Sequence, residues 1–481
     1  MDRAPTFSDV RSLMQRPPSP ETWGEVLMLC ALWPDPRELS ETIVPYVAGH
    51  LESWPQRLRR APWGWFERAR SNPATPIHEL PLAREIVADR DALSVDTAPL
   101  FRLAAAQAQD LRVIRTQDIE LRGAAEHIGA LEHLEHLEAW NARLEDEHGR
   151  ILLSSGPFGH LRTLKLGAND IRQGTLLALQ RTAPKLEHLD LSANALGDEA
   201  ARELGRLPSL GRLRTLNLRF TALRRRGIEM LMRSLRGDQL GALWLGGNLI
   251  EDHAAEAIAQ CPQLKHVHTL DLGHAPTLLE ARILESSAIR PLARQSGEGV
   301  AAALAASPYV LGLQRLDLYH NELGPTGARA LAAATMPSLE HLDVAINELG
   351  PDGARALLAS PLMERLVHLD LSHNHLDATL HEPLTEHADS LEPLRELVLR
   401  GNELGDEGAE LLAQLSLVRR LRLLDLYHND IGPRGVGALV DHHALVGLEV
   451  LDLSYNDIGE DGARALDHPS LARLRRLVVG P

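Results

Sequence analysis

The stretch Leu421–Asp430 reads LRLLDLYHND. Leu421, Leu424 and Leu426 stand at spacings that one face of a strand can bury, since side chains alternate along a strand. Asp425 separates two of them, and Tyr427, His428 and Asn429 follow. The phrase returns in other words at 313–322, LQRLDLYHNE. The form LxxLxLxxN opens at Leu161, Leu186, Leu213, Leu240, Leu313, Leu339, Leu366, Leu394, Leu421 and Leu448, with Thr221 in place of the asparagine in the third copy and Val344 in place of the last leucine in the sixth. Neighbouring copies lie 25 to 28 residues apart, with one interruption between Leu240 and Leu313. Val267 opens a degraded copy, Leu474 a half copy and Leu134 an earlier one, and Leu111 begins a first, poor one. Self-similarity at a fixed period of this length signals an array that stacks one structural unit on the next.

Each copy divides into two halves. The leucines predict a short strand, closed by an asparagine such as Asn429 whose amide can satisfy backbone groups of the neighbouring turn. A glycine turn follows, "IGPRG" or "LGPTG", with proline suited to a first helical turn. Then come "GARALAAA" and "GAELLAQL", at helical spacing, with acids such as Asp406 and Glu407 near the helix start. Arg329, Arg355 and Arg464 share one place in "GAR" and read as a solvated helix face. One strand and one helix per period resembles the leucine-rich repeat. The half "LGDEGAELLAQL" resembles the ribonuclease-inhibitor-like class of that family. The resemblance covers roughly residues 106–481. It implies an α/β solenoid, a horseshoe with a parallel sheet on the concave face and helices on the convex one.

Two regions depart from the repeat. Residues 1–105 hold five of the seven tryptophans and read as a small helical cap or docking region. Ser19 and Pro20 mark the start of one helix there, a second bends at Pro45, and "PIHELPLAREIVADRDAL" is a third candidate. The step from Val267 to Leu313 exceeds one period, which places an insertion near 276–296, in the loop after a strand. At the far end, the last strand reads as an edge blunted by Arg473, Arg475 and Arg476, where self-association is an open reading.

Charge narrows the partners. The net charge is −16, and residues 106–481 carry −14 of it. That argues against nucleic acid, whose phosphates need a basic face. Only three basic residues are lysine, which fits a GC-rich, bacterial genome. Two cysteines, Cys30 and Cys261, give no disulfide framework and fit a reducing compartment. Without an apolar leader or an eighteen-residue apolar run, the reading is cytoplasmic with no membrane partner. No phosphate-binding GxxxxGK[ST], HExxH, GxSxG or paired-cysteine motif is present, so the expectation is no enzyme, no cofactor and no metal.

The residue between the two inward leucines faces away from the core. That column runs Lys165, Asp190, Asn217, Trp244, Asp271, Asp317, Asp343, Asp370, Val398, Asp425, Asp452, Val478. Carboxylates on adjacent strands, about 4.8 Å apart, repel unless protonated or met by a cation. Just before the asparagine stand Tyr319 with His320, His373, Tyr427 with His428, and Tyr455. His188, His341 and His368 fill another outward column, and beside aspartate they are expected to have raised pKa values. The candidate partner-binding set is Asp190, Trp244, Asp271, Asp317, Tyr319, His320, Asp343, Asp370, His373, Asp425, Tyr427, His428, Asp452 and Tyr455. The expected function is a non-catalytic scaffold that binds a protein, of basic character, on an acidic concave face. The alternatives are an inhibitor or immunity-type protein that occludes a basic enzyme, and an effector whose N-terminal region carries the activity.

Overall fold

The computed structural model describes residues 4–73, 75–88, 96–108, 110–156, 158–274, 297–442, 445–468, 471 and 473–480. The insertion expected near 276–296 lies outside them. The chain forms two compact units, the first ending at Asn217 and the second beginning at Leu218.

The first unit opens with helices. Ser19 caps the helix Pro20–Ala31 by accepting from the Thr22 amide at 3.1 Å, and Pro20 occupies the first turn. Ahead of Pro45 the chain widens into a π-helical turn, Leu39–Ile43, before the helix Val44–His50. Trp23, Trp33 and Trp54 pack with Val26, Leu29, Cys30, Ile43 and Leu51 in one core. Burial pushes the Cys30 thiol up to about 12, so it is an inert core residue. The third expected helix is not one. Its segment forms a 3-10 turn, Leu80–Leu82, and then strand β1, Glu85–Ala88. Pairing with the next strand overrides local preference there. Ile86 and Ala88 are buried, and the Glu85 carboxylate is clasped by Arg60 at 2.7 Å and Arg115 at 2.5 Å.

From β1 the first unit continues through β2 Val113–Gln117, β3 His136–Trp140, β4 Thr163–Lys165, β5 His188–Asp190 and β6 Thr215–Asn217. The second unit contains β7 Ala242–Trp244, β8 Thr269–Asp271, β9 Arg315–Asp317, β10 His341–Asp343, β11 His368–Asp370, β12 Glu396–Val398, β13 Leu423–Asp425, β14 Val450–Asp452 and β15 Arg476–Val478. Within each unit every strand pairs in parallel with the next in sequence. Helices return the chain along one face of the ladder. The helix Gly405–Gln414 buries Ala409, Leu412 and Ala413, spaced so that one stripe faces inward. Leu424 and Leu426 are fully buried. Each such leucine contributes about 2 kcal/mol, and only where a neighbouring repeat covers it.

Two side-chain systems tie repeat to repeat. The first is the asparagine. Asn374 Oδ1 accepts from the amides of Asn347 and Leu349 at 3.0 and 3.2 Å in the preceding repeat. Its Nδ2 donates to the carbonyls of Val344, Leu371 and Ser372. Asn347, Asn402 and Asn456 repeat the arrangement, whereas Asn429 keeps only the Nδ2 bonds, to the carbonyls of Leu399 and Tyr427, and its Oδ1 is buried without a partner among the described residues. The second lies among the helices. Asp406 accepts from the amides of Gly432 and Gly435, at 2.8 and 2.7 Å, and so caps the next helix along. Asp146 does the same for Arg172, Gly174 and Thr175. The residue ahead of each asparagine is left-handed: φ is 58° at His320, 53° at His373, 57° at Gly401, 52° at His428 and 57° at Tyr455. The asparagine bonds on both sides hold this otherwise unfavourable backbone in place.

Candidate partner-binding face

Opposite the helices, the strands of the second unit present three columns of side chains. The ladder register sets Asp271 against Asp317, Asp317 against Asp343, and Asp343 against Asp370. After Val398, it sets Asp425 against Asp452. Trp244 opens this column and is half-buried. Asp190 occupies the same position in the first unit, opposite Lys165 and Asn217.

The aspartates are less available than their position on the face suggests. Each one spends an oxygen on its own turn. Asp190, Asp271, Asp317, Asp343, Asp370 and Asp452 accept at 2.9 Å from the amide two residues on, and Asp425 does so at 3.1 Å. Hydroxyls of Ser192 and Ser372 add bonds to Asp190 and Asp370. The second oxygen of Asp271 takes the Arg219 guanidinium, and that of Asp425 takes Arg400 at 2.5 Å. Asp271 and Asp425 are consequently buried.

Crowding sets their acidity. Burial, then the charge of Asp317, pushes the Asp271 carboxyl up to about 7, against the pull of Arg219. Burial, then Asp370 and Asp317, pushes Asp343 up to about 8. Burial also raises Asp190 and Asp370, against bonds from Ser192 and Ser372. Beside them Tyr319 is raised by its own burial and by Asp343, Asp370 and Asp317. The relief expected from stacked carboxylates is thus partly proton uptake and partly arginine.

The histidines run opposite to expectation. His188, His341 and His373 lie below the ordinary imidazole value, with burial the first cause in each. Arg214 and Lys165 add to it at His188, and Arg315 and His368 add to it at His341. Adjacency to aspartate in the sequence misses these terms. His368 instead pairs across the ladder with Glu396 at 2.8 Å.

The strand exits of β11 to β14 carry the most accessible groups. The Tyr427 and Tyr455 rings sit 4.9 Å apart, and Tyr455 is 55% exposed. The Arg400 guanidinium lies 5.8 Å from the Tyr427 ring centre while it holds Asp425. His373 and His428 are exposed on either side, and Tyr319 and His320 are half-buried three strands away. Gly401 makes room for this cluster: a Cβ there would meet the His373 ring. Arg219 and Arg400 were not among the residues expected here. Both stand two residues beyond the aspartate column, so aligning that next column reveals them.

A family model described as Leucine Rich repeat matches residues 182–205, 313–332, 335–358, 391–413, 420–440 and 448–466. The ribonuclease inhibitor of Sus scrofa is 30% identical over 244 residues, which is 50% of this chain and 45% of that protein. The chain therefore spans less than half the length of that relative. Among solved structures, an internalin from Listeria monocytogenes is similar at a TM-score of 0.40 and 16% identity, over 88% of this chain and 96% of that one. The functional domain of InlJ from Listeria monocytogenes is similar at 0.33 and 14%, over 84% and 64%.

Proposed function

The chain is a leucine-rich repeat protein of the ribonuclease-inhibitor-like class, and from that premise we propose that it is a non-catalytic scaffold that binds a protein partner on the helix-free face of its second unit. The observation that carries the reading is the Arg400–Tyr427–Tyr455 cluster, in which an exposed ring, Tyr455, packs on a half-buried one, Tyr427, beside a fixed guanidinium. Tyrosine and arginine supply large contact area with few rotors to freeze, which suits the centre of an interface. The partner-binding set of the second unit is Trp244, Asp271, Asp317, Tyr319, His320, Asp343, Asp370, His373, Asp425, Tyr427, His428, Asp452 and Tyr455; taken by itself, the first unit offers Asp190 at the equivalent position. The acidic column orients a basic partner more than it fixes affinity.

A second reading narrows the first. A relative is named a ribonuclease inhibitor, and residues 106–481 carry −14 of the net charge. The partner would then be a basic enzyme that this face occludes.

Capture experiments test both readings. Wild type is compared with Tyr427→Ala plus Tyr455→Ala, and with Asp317→Asn plus Asp343→Asn plus Asp370→Asn. A protein retained by wild type and released by the tyrosine variant supports the scaffold. Loss in both variants, with binding that weakens steeply with salt, supports the basic partner. The same proteins held by all three forms would remove the face from consideration.

A further inference from the structure

At the edge where the strands begin, the second unit gathers arginines. Arg395, Arg422, Glu449 and Arg475 occupy one ladder position in successive repeats. The Arg422 amide donates to the Arg395 carbonyl at 2.7 Å, the Glu449 amide to Arg422 at 2.8 Å, and the Arg475 amide to Glu449 at 2.8 Å. The segments just ahead of these positions add Arg419, Arg420 and Arg473. Together these residues and Gly447 line a pocket of about 650 Å³. Six guanidiniums thus face one carboxylate, that of Glu449, which pairs with Arg475 at 3.0 Å.

Three of the arginines are positioned by backbone carbonyls, which do not neutralise their charge. Arg395 donates to the carbonyls of Glu392 and Leu394 at 2.7 and 2.8 Å. Arg419 donates to the His442 carbonyl at 3.2 Å, and Arg420 to the Ala388 carbonyl at 3.4 Å. Arg420 Nε is buried and has no hydrogen-bond acceptor among the described residues. A buried donor without an acceptor is costly. Convergent guanidiniums repel one another, and the chain as a whole is strongly acidic, so general charge balance does not account for their gathering.

The lining also selects among anions. Guanidinium forks match paired phosphate oxygens. Among the described residues no aromatic ring lines the pocket, so they offer no platform for a stacked base. Its volume falls in the range of small-molecule sites. We propose that this pocket binds a compact polyphosphate, a small molecule with two or more phosphate groups that needs no base to be stacked. This site is separate from the proposed partner face and does not depend on it.

The test is titration calorimetry on the full chain, with inorganic tripolyphosphate, orthophosphate and a hexaglutamate peptide at about 0.1 M salt. Tripolyphosphate is expected to bind at least about tenfold more tightly than either of the others. The double variant Arg395→Gln plus Arg422→Gln should lose at least about tenfold of that affinity. Arg329→Gln, on the exposed face of the helix Gly324–Ala332, should bind as wild type does. Circular dichroism confirms that all three forms are folded. Equal binding of orthophosphate, or tripolyphosphate binding untouched by the double variant, would overturn the proposal. Hexaglutamate binding as tightly as tripolyphosphate would also overturn it and make the pocket a surface for an acidic protein segment.

Discussion

Replacing Asp343 with asparagine isolates what the acidic column costs. Asparagine keeps an Oδ1 to accept from the Ala345 amide, now at 2.9 Å, and removes the charge. The carboxyl it replaces is pushed from an ordinary 3.8 up to about 8 by burial, Asp370 and Asp317. Between those values the folded chain holds a proton that the unfolded chain has released. Stability therefore falls as pH rises through that window, by at most about 1.4 kcal/mol per pH unit for one group, and levels off above it. Asp271 and Asp370 are raised as well, so the column shares its protons and one substitution removes part of the effect. Asp343→Asn should gain on wild type by about 2–3 kcal/mol between pH 5 and pH 8.5. Urea unfolding at both pH values, followed by circular dichroism, measures it. Taking the difference between variant and wild type cancels the other titrations. An offset that is the same at both pH values, or that shrinks as pH rises, would refute the reasoning.

Further outcomes follow from the same geometry. Asn374→Ala removes five hydrogen bonds to two repeats and leaves buried amides of Asn347 and Leu349 without an acceptor. It should cost about 3 kcal/mol, read from the urea midpoint. Gly401→Ala places a methyl against the His373 ring at φ 57° and should cost about 1–2 kcal/mol. Adding His373→Ala should return the steric part, so that the double variant melts above Gly401→Ala alone. A basic partner held by the column should bind more tightly from pH 6 to pH 9, as Asp271 and Asp343 ionise near 7 and 8. Calorimetry showing a flat profile would detach the partner from these carboxylates.

The ladder was legible because its determinants are local and repeated. Leucine at fixed spacing places a buried side chain, and asparagine at fixed spacing bonds the turn beside it, from Leu134 to Leu474. Strand β1 was not legible. Its four residues follow an apolar run that also suits a helix, and the choice rests on pairing with β2 and on Arg60 and Arg115 around Glu85. Periodicity placed the aspartates on the face, yet it does not say what covers them. Asp271 and Asp425 are hidden by arginines from other strands, 52 and 25 residues away in sequence. The histidines mislead for a related reason: a neighbouring acid is visible in the sequence, whereas the burial that outweighs it arises only in the folded chain.

What the aspartates already do decides how the face can bind. An oxygen committed to the turn and a partner arginine on the other leave Asp425 with little to offer a ligand. Asp343 sits between two acidic neighbours and takes up a proton near neutral pH. A fully charged stripe is therefore the wrong picture at pH 7. The column supplies a negative field that grows with pH, while contact area must come from the strand exits. There Arg400 is locked by Asp425 against Tyr427, so the cluster is ordered before any partner arrives. Preordered aromatic groups forfeit little entropy on binding. The acid column thus acts on affinity twice, once by fixing Arg400 and once by the field, and only the second contribution should weaken with salt.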